Sequence, residues 1–283
     1  MAEHSRESTE GLAAFADQLR VAHGADLDLG AVDPSGTPGY EANKAAAKHE
    51  LRVLRRELFA FQSRLWAERK HSLLLVLQAL DAGGKDGTIR KVFSAFNLQG
   101  ARVAAFGVPT EEELAHDFLW RIHPHAPGHG RVAIFNRSHY EDVLVVRVAR
   151  LAPDAIWQRR YELINEWEHS LAAEGTTVLK FMLHVSRDEQ RQRLQKRLDD
   201  PEKQWKFSPG DLGVRAQWDE YMRAYADALS RCSTDEAPWY LIPADHKWYR
   251  NLAVARIVAA AARRIDPQFP ALPAELVGTE IPA

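Results

Sequence analysis

Residues Ser72–Leu80 read SLLLVLQAL and run directly into Asp81-Ala82-Gly83-Gly84-Lys85-Asp86-Gly87-Thr88. A continuous apolar run of this length, closed by a glycine cluster, fits a strand buried on both faces, as in a parallel sheet. Glycines at a strand-to-helix junction let backbone N–H groups approach an anion closely, and the helix that follows presents its positive end to it. A lysine at that junction can reach a phosphoryl group. Gly83, Gly84, Lys85 and Gly87 supply those parts. The nucleotide-loop pattern G-x-x-x-x-G-K-[ST] is met only at its end. Gly84 and Lys85 fit, Ala79 stands at the first glycine, Asp86 replaces the hydroxyl residue, and Thr88 follows two positions later. Asp81 is an extra acid in the loop, of the type that contacts a metal ion.

Working outward, four more apolar runs follow: Arg102–Phe106, Val132–Phe135, Thr177–Val185 and Trp239–Ile242. Helical stretches are expected at 86–97, 111–122, 154–173, 187–198, 214–230 and 248–264. Strands alternating with helices imply an α/β fold with a mostly parallel sheet and right-handed crossovers. Upstream, Glu41–Lys70 lacks Gly and Pro, and Leu51, Leu54, Leu58, Phe61 and Leu65 form one apolar stripe on a long helix. Arg52, Arg55, Arg56 and Arg64 lie off that stripe. The chain divides into an N-terminal helical extension (1–40), a main domain (41–265) and a Pro-rich tail (266–283).

Lys plus Arg total 37 against 39 Asp plus Glu, a net charge of -2. That balance argues against a nucleic-acid partner but leaves room for a local basic channel. The one cysteine, Cys232, cannot form an internal disulfide and reads as a small buried hydrophobe. Met1–Arg6 lacks a signal-peptide start, and no apolar run is long enough to span a membrane. A cytoplasmic location is expected.

Phe135-Asn136-Arg137-Ser138-His139-Tyr140-Glu141-Asp142 follows the third apolar run, at the carboxyl edge of the sheet, where α/β proteins bind ligands. Arg137 suits bidentate phosphate contact, whereas Asn136 can hydrogen-bond a phosphate without bringing charge. Asp117 and Arg121 stand one turn apart on the expected helix 111–122, and His123, His125 and His129 read as a solvated loop rather than a metal site. Residues 187–206 are rich in Arg and Lys, and Asp199-Asp200-Pro201 breaks the expected helix ahead of Lys203-Gln204-Trp205-Lys206-Phe207. This segment, around 187–212, reads as a basic lid that closes over phosphates.

Three motifs together resemble the polyphosphate kinase 2 family, in particular its third class: Asp81-x-x-Gly84-Lys85-x-Gly87-Thr88-Ile89-Arg90, Phe135-Asn136-Arg137-Ser138-x-Tyr140, and Pro201-x-Lys203-x-Trp205-Lys206. The match in order and spacing runs from about Tyr40 to Ala262. The resemblance implies a P-loop kinase-like three-layer sandwich with a helical lid. It implies Mg²⁺ (or Mn²⁺), inorganic polyphosphate as donor, AMP and ADP as acceptors with ATP as a product, and a homodimer or homotetramer. Asp81, Lys85, Arg121, Asn136 and Arg137 are then expected at the reacting centre. Gly83, Gly84, Gly87, Thr88, Glu141 and Arg197 are expected to hold nucleotide or phosphate. Lys85, Arg90, Lys91, Lys203 and Lys206 are expected along the polyphosphate, and Asp81, with Glu141, at the metal. Two other readings stand beside this one. An ATP-dependent nucleoside monophosphate kinase fits the fold but not Asp86 in the loop. A non-catalytic binding module fits Lys85 and the basic lid but not Asp81 and Glu141.

Overall fold

The computed structural model describes residues 7–281. Met1–Arg6, read above as lacking a signal start, and the last two residues of the Pro-rich tail lie outside the described residues. The elements in chain order are α1 (Thr9–Leu19), α2 (Lys44–Glu68), β1 (Ser72–Gln78), α3 (Lys85–Lys91), β2 (Ala101–Ala105), α4 (Glu111–Ala115), β3 (Val132–Asn136) and α5 (Val145–Val148). They continue with α6 (Asp154–Ala173), β4 (Thr176–His184), α7 (Arg187–Asp199), α8 (Pro209–Ala216), α9 (Trp218–Cys232), β5 (Trp239–Pro243) and α10 (Lys247–Ile265).

The five strands form one parallel sheet in the order β2-β3-β1-β4-β5. All seven residues of β1 are buried, because helices cover both faces of the sheet. Leu73, Leu75 and Leu77 point into a core shared with α1, α2 and α10, while Leu74 and Val76 point into the opposite core with α6 and α9. This two-sided burial explains why the strand reads as an unbroken apolar run rather than an alternating one. The chain leaves β1 in one direction to build β2 and β3, and returns past it to build β4 and β5. A crevice therefore opens at the carboxyl ends of β1 and β3.

All five expected strands form, with shifts of one or two residues at their ends. The long helix expected at 41–70 is α2, started by Asn43, whose side chain accepts from the amides of Ala45 and Ala46. The stretch 111–122 differs from expectation. Helix α4 stops at Ala115, His116 is extended, and the Asp117 carboxylate accepts from the Leu119 amide to begin a separate turn. A local side-chain bond competes there with helix continuation. The N-terminal residues pack into the body of the protein. Leu12, Phe15, Ala16 and Leu19 of α1 are buried, and Val21 donates its amide to the Trp239 carbonyl at 2.9 Å, alongside β5. Among the described residues no helix is long and apolar enough to cross a membrane.

Candidate active site

The turn between β1 and α3 wraps the carboxyl end of the central strand. Gly84 sits at φ 114°, a left-handed conformation that suits glycine. A Cβ there would lie 1.9 Å from Nη1 of Arg250, so any other residue would have to displace that guanidinium. Ala82 and Arg137 also take left-handed conformations, at φ 61° and 62°. Such positions cost a non-glycine residue about 1 kcal/mol or more and persist where the surroundings enforce them.

Lys85, the first residue of α3, is buried and folds back to donate its ammonium to the Ala79 carbonyl at 2.7 Å. Burial, together with the nearby Arg137 charge, lowers its pKa from 10.5 to about 8, against the opposing pull of Asp81, Glu141 and Asp86. Arg137 follows β3 and spans two acids, Asp81 at 2.6 Å and Glu141 at 3.2 Å. Burial alone would pull its pKa down, but Glu141 and Asp81 outweigh that and hold it above the ordinary value. Glu141 also accepts from Gln78 Nε2 at 3.2 Å, which ties the segment after β3 to the last residue of β1. Acids and bases supplied by two neighbouring strand ends thus converge at the switch point. The crevice beside them, closed by Tyr221 and Tyr225 of α9, measures only about 20 Å³. That is far below the several hundred Å³ typical of a small-molecule site.

Asn136 ends β3 and donates to the Asp86 carboxylate at 3.0 Å. Asp86 in turn pairs with Lys206 of the expected lid at 3.6 Å, although two-thirds of its side chain is exposed. Burial pushes the Asp86 pKa up, but Asn136 and Lys206 more than reverse this, and it stands below the ordinary carboxylate value. The segment expected to form a lid folds as α7, a short turn over Gln204–Lys206, and α8. Arg197 pairs with Asp211 across it at 3.7 Å, and Lys203 pairs with Asp200 just before the turn.

The remaining expected residues stand apart from this cluster. Arg121 is buried at the β2 end of the same edge, where it donates to the Gly107 carbonyl at 3.0 Å and faces Glu113 and Asp142 at 3.6 and 3.9 Å. It does not pair with Asp117, the partner expected from one-turn spacing. Arg90 and Lys91 are exposed at the far end of α3. Two residues that motif reading passed over brace the loop from behind. Arg193 of α7 donates to the carbonyls of Ala82, Gly83, Ala244 and Asp245 at 2.6–3.2 Å. Arg250 of α10 packs against Gly84, and among the described residues its side chain bonds only its neighbour Asn251; burial together with Arg193 lowers its pKa to about 9.

The residues present fit a magnesium ion, which takes one or two protein carboxylates and fills its other positions with phosphate and water. Asp81 and Glu141 are such a pair. Gln78 Oε1 on β1 and Thr88 Oγ1 on α3 are buried without a hydrogen-bond partner. Among the described residues no group of three or more His, Cys, Asp or Glu forms a closed metal cage.

A second polar cluster lies deeper in the sheet. Lys180, in the middle of β4, donates to Glu168, to Tyr140 Oη at 2.9 Å and to the Cys232 carbonyl at 2.6 Å, and His139 bonds Glu168 at 3.1 Å. All of these residues are buried. Burial pushes the Cys232 thiol up to about 12, as suits a packing residue.

Comparison with known proteins agrees with this fold. The family model described as Polyphosphate kinase 2 matches residues 41–270. The chain is 55% identical over 253 residues to an AMP/ADP-polyphosphate phosphotransferase of Meiothermus ruber, covering 89% of this chain and 95% of that one. It is 42% identical over 266 residues to an ADP-polyphosphate phosphotransferase of Rhodopseudomonas palustris, covering 89% and 91%. The crystal structure of polyphosphate kinase 2 from Arthrobacter aurescens superposes with a TM-score of 0.88 at 45% identity, covering 91% of this chain and 92% of that one. A five-stranded parallel sheet with a lysine loop at its switch point, shared over most of the chain with these enzymes, places the protein in the polyphosphate kinase 2 family.

Proposed function

We propose that the protein transfers the terminal phosphoryl group of inorganic polyphosphate to AMP and ADP, reversibly. The observation that carries this reading is Arg137 held between Asp81 and Glu141 beside Lys85, at the carboxyl ends of β1 and β3. The names of the M. ruber and R. palustris relatives support polyphosphate as donor and these nucleotides as acceptors.

In the proposed reaction an oxygen of the nucleotide's terminal phosphate forms a bond to the end phosphorus of the chain. The bridging P–O bond behind that phosphorus breaks in line, and the shortened chain leaves as an anion. The attacking oxygen is already deprotonated near neutral pH, so no side chain has to remove a proton. Catalysis is then positioning and charge neutralisation. Lys85 leaves the Ala79 carbonyl for the transferred group, and the amides around Gly83, Gly84 and Gly87 cradle its oxygens with Thr88 close by. Arg137 turns from its acids toward the nucleotide phosphates, and Asn136 hydrogen-bonds an oxygen without adding charge. Arg121 reaches the same edge once Glu113 and Asp142 release it. Asp81, with Glu141, would hold Mg²⁺, which would supply charge neutralisation to the phosphates. Arg197 and Lys206 close the lid over the nucleotide and chain, with Lys203 beside them, and Arg90 and Lys91 carry the polyphosphate away along α3.

Incubation with AMP, Mg²⁺ and polyphosphate in the absence of ATP tests the proposal. ADP followed by ATP is the expected time course. Absence of ADP, with AMP phosphorylated only when ATP is supplied, would replace polyphosphate with ATP as the donor.

A further inference from the structure

Away from the loop, α2 carries a second basic surface. Two of its acids, Glu50 and Glu57, are bound by Arg256 and Arg263 of α10, at 2.6 and 2.5 Å. On another side of the helix, His49, Arg52, Arg55, Arg56 and Phe59 line a groove of about 750 Å³ against Ser94, just beyond α3. Arg52 and Arg56 are exposed and stand one helical turn apart. No ion pair among the described residues involves Arg52, Arg55 or Arg56, while the neighbouring acids Glu50 and Glu57 are engaged elsewhere. Arg55 donates to Ser94 Oγ at 3.1 Å, and its Nε is buried with no partner. Three guanidinium groups without an acid repel one another, and an anion in the groove would relieve that.

The groove is linked to the phosphate loop through α3. Ser94 Oγ donates to the Arg90 carbonyl at 2.6 Å, and Arg90 and Lys91 end the helix that Lys85 begins. At 1.5 Å per residue, that helix carries the path about 10 Å from the loop. Guanidinium groups match phosphate oxygens in a fixed fork. A row of them one turn apart suits a regular chain of phosphates better than a single carboxylate.

We infer that the α2 groove is a distal subsite for the polyphosphate chain, holding remote phosphates on Arg52, Arg55 and Arg56 while the terminal one reacts at Lys85. This rests on the proposed function and adds a chain-length preference to it. Short chains would end near α3, whereas long chains would gain the α2 contacts.

The test is the double variant Arg52→Glu/Arg56→Glu, both positions exposed, assayed with short linear and with long-chain polyphosphate at saturating nucleotide. KM for long chains is expected to rise by roughly tenfold or more, with kcat and the short-chain KM unchanged. The slope of log KM against log salt for long chains should shrink by about 1.4, the value for two lost phosphate contacts on a single strand. The milder Arg52→Ala/Arg56→Ala pair should shift KM in the same direction by less. Equal KM changes for both chain lengths, or none, would overturn the subsite. So would an altered molecular mass by light scattering, which would make the groove an interface between copies. Short-chain transfer by the wild-type protein separates the two claims, because it keeps the donor assignment standing whatever the groove does.

Discussion

Two buried lysines, Lys180 within β4 and Lys85 at the start of α3, meet opposite fates. Lys180 is fully buried within β4 and satisfied by Glu168, Tyr140 and a backbone carbonyl. Lys85 is nearly as buried, yet among the described residues its ammonium bonds only a neutral carbonyl. A paired buried charge is a fixture of the fold. A buried charge that lacks a carboxylate bond costs stability and is free to take an anion. The contrast separates architecture from chemistry more clearly than burial does.

The largest expected effect comes from breaking the architectural pair. Lys180→Ala should destabilise the protein by about 3–5 kcal/mol, since it leaves Glu168 buried without its counter-charge. Urea unfolding measures this, and a Lys180→Met/Glu168→Leu double variant should recover most of the loss. If the double variant were no more stable than the single one, the cluster would be more than a pair that can be replaced by apolar packing.

Next in size is Lys85→Ala, expected to lower kcat at least ~100-fold, as loss of one transition-state donor does. Its unfolding midpoint should stay at or above the wild-type value. A folding defect without a rate defect would give Lys85 the role assigned to Lys180.

The pH dependence sharpens the same distinction. With its folded pKa at about 8 rather than 10.5, Lys85 loses its proton as pH rises through 8 in the free enzyme. The pH profile of kcat/KM should therefore fall above about 8, approaching tenfold per unit. Stability moves the other way. Between about 8 and 10.5 the unfolded chain binds the Lys85 proton and the folded chain does not, so this group's contribution to stability rises with pH. Flat kcat/KM across that window would remove Lys85 from the reaction.

The smallest effect belongs to a third lysine, at the surface. Lys206 pairs with Asp86 while both remain partly exposed, and such pairs are worth about 0–1 kcal/mol. Lys206→Ala should raise KM no more than about fivefold, less so in high salt. A loss as deep as that of Lys85→Ala would move Lys206 from the lid into the reacting centre.

Much of this was legible in the sequence. The five strands were visible because each is an apolar run bounded by turn residues, and burial on both faces makes that signal strong. The loop and the segment after β3 were visible because phosphate chemistry needs particular residue types at strand ends. The braces were not. Arg193 touches carbonyls more than fifty and more than a hundred residues away, and neither period nor spacing records such contacts. Gln78 is similar: a polar residue in an apolar strand, whose reason, Glu141, stands sixty-three positions later. Helix α4 was read too long because apolar spacing continues past Ala115, while the Asp117 side chain begins a new turn.

The N-terminal segment has a practical consequence. The family match begins at residue 41, which invites trimming the chain to that point. Yet Arg20 bridges Tyr240 antiparallel and Val21 bonds Trp239, so this segment screens the last strand of the sheet. A shortened chain would bare the edge of β5 and the apolar strip that Leu12, Phe15 and Leu19 cover. An uncovered strand edge beside fresh apolar surface is a template for other chains, so the trimmed enzyme would be lost to aggregation before it was lost to chemistry.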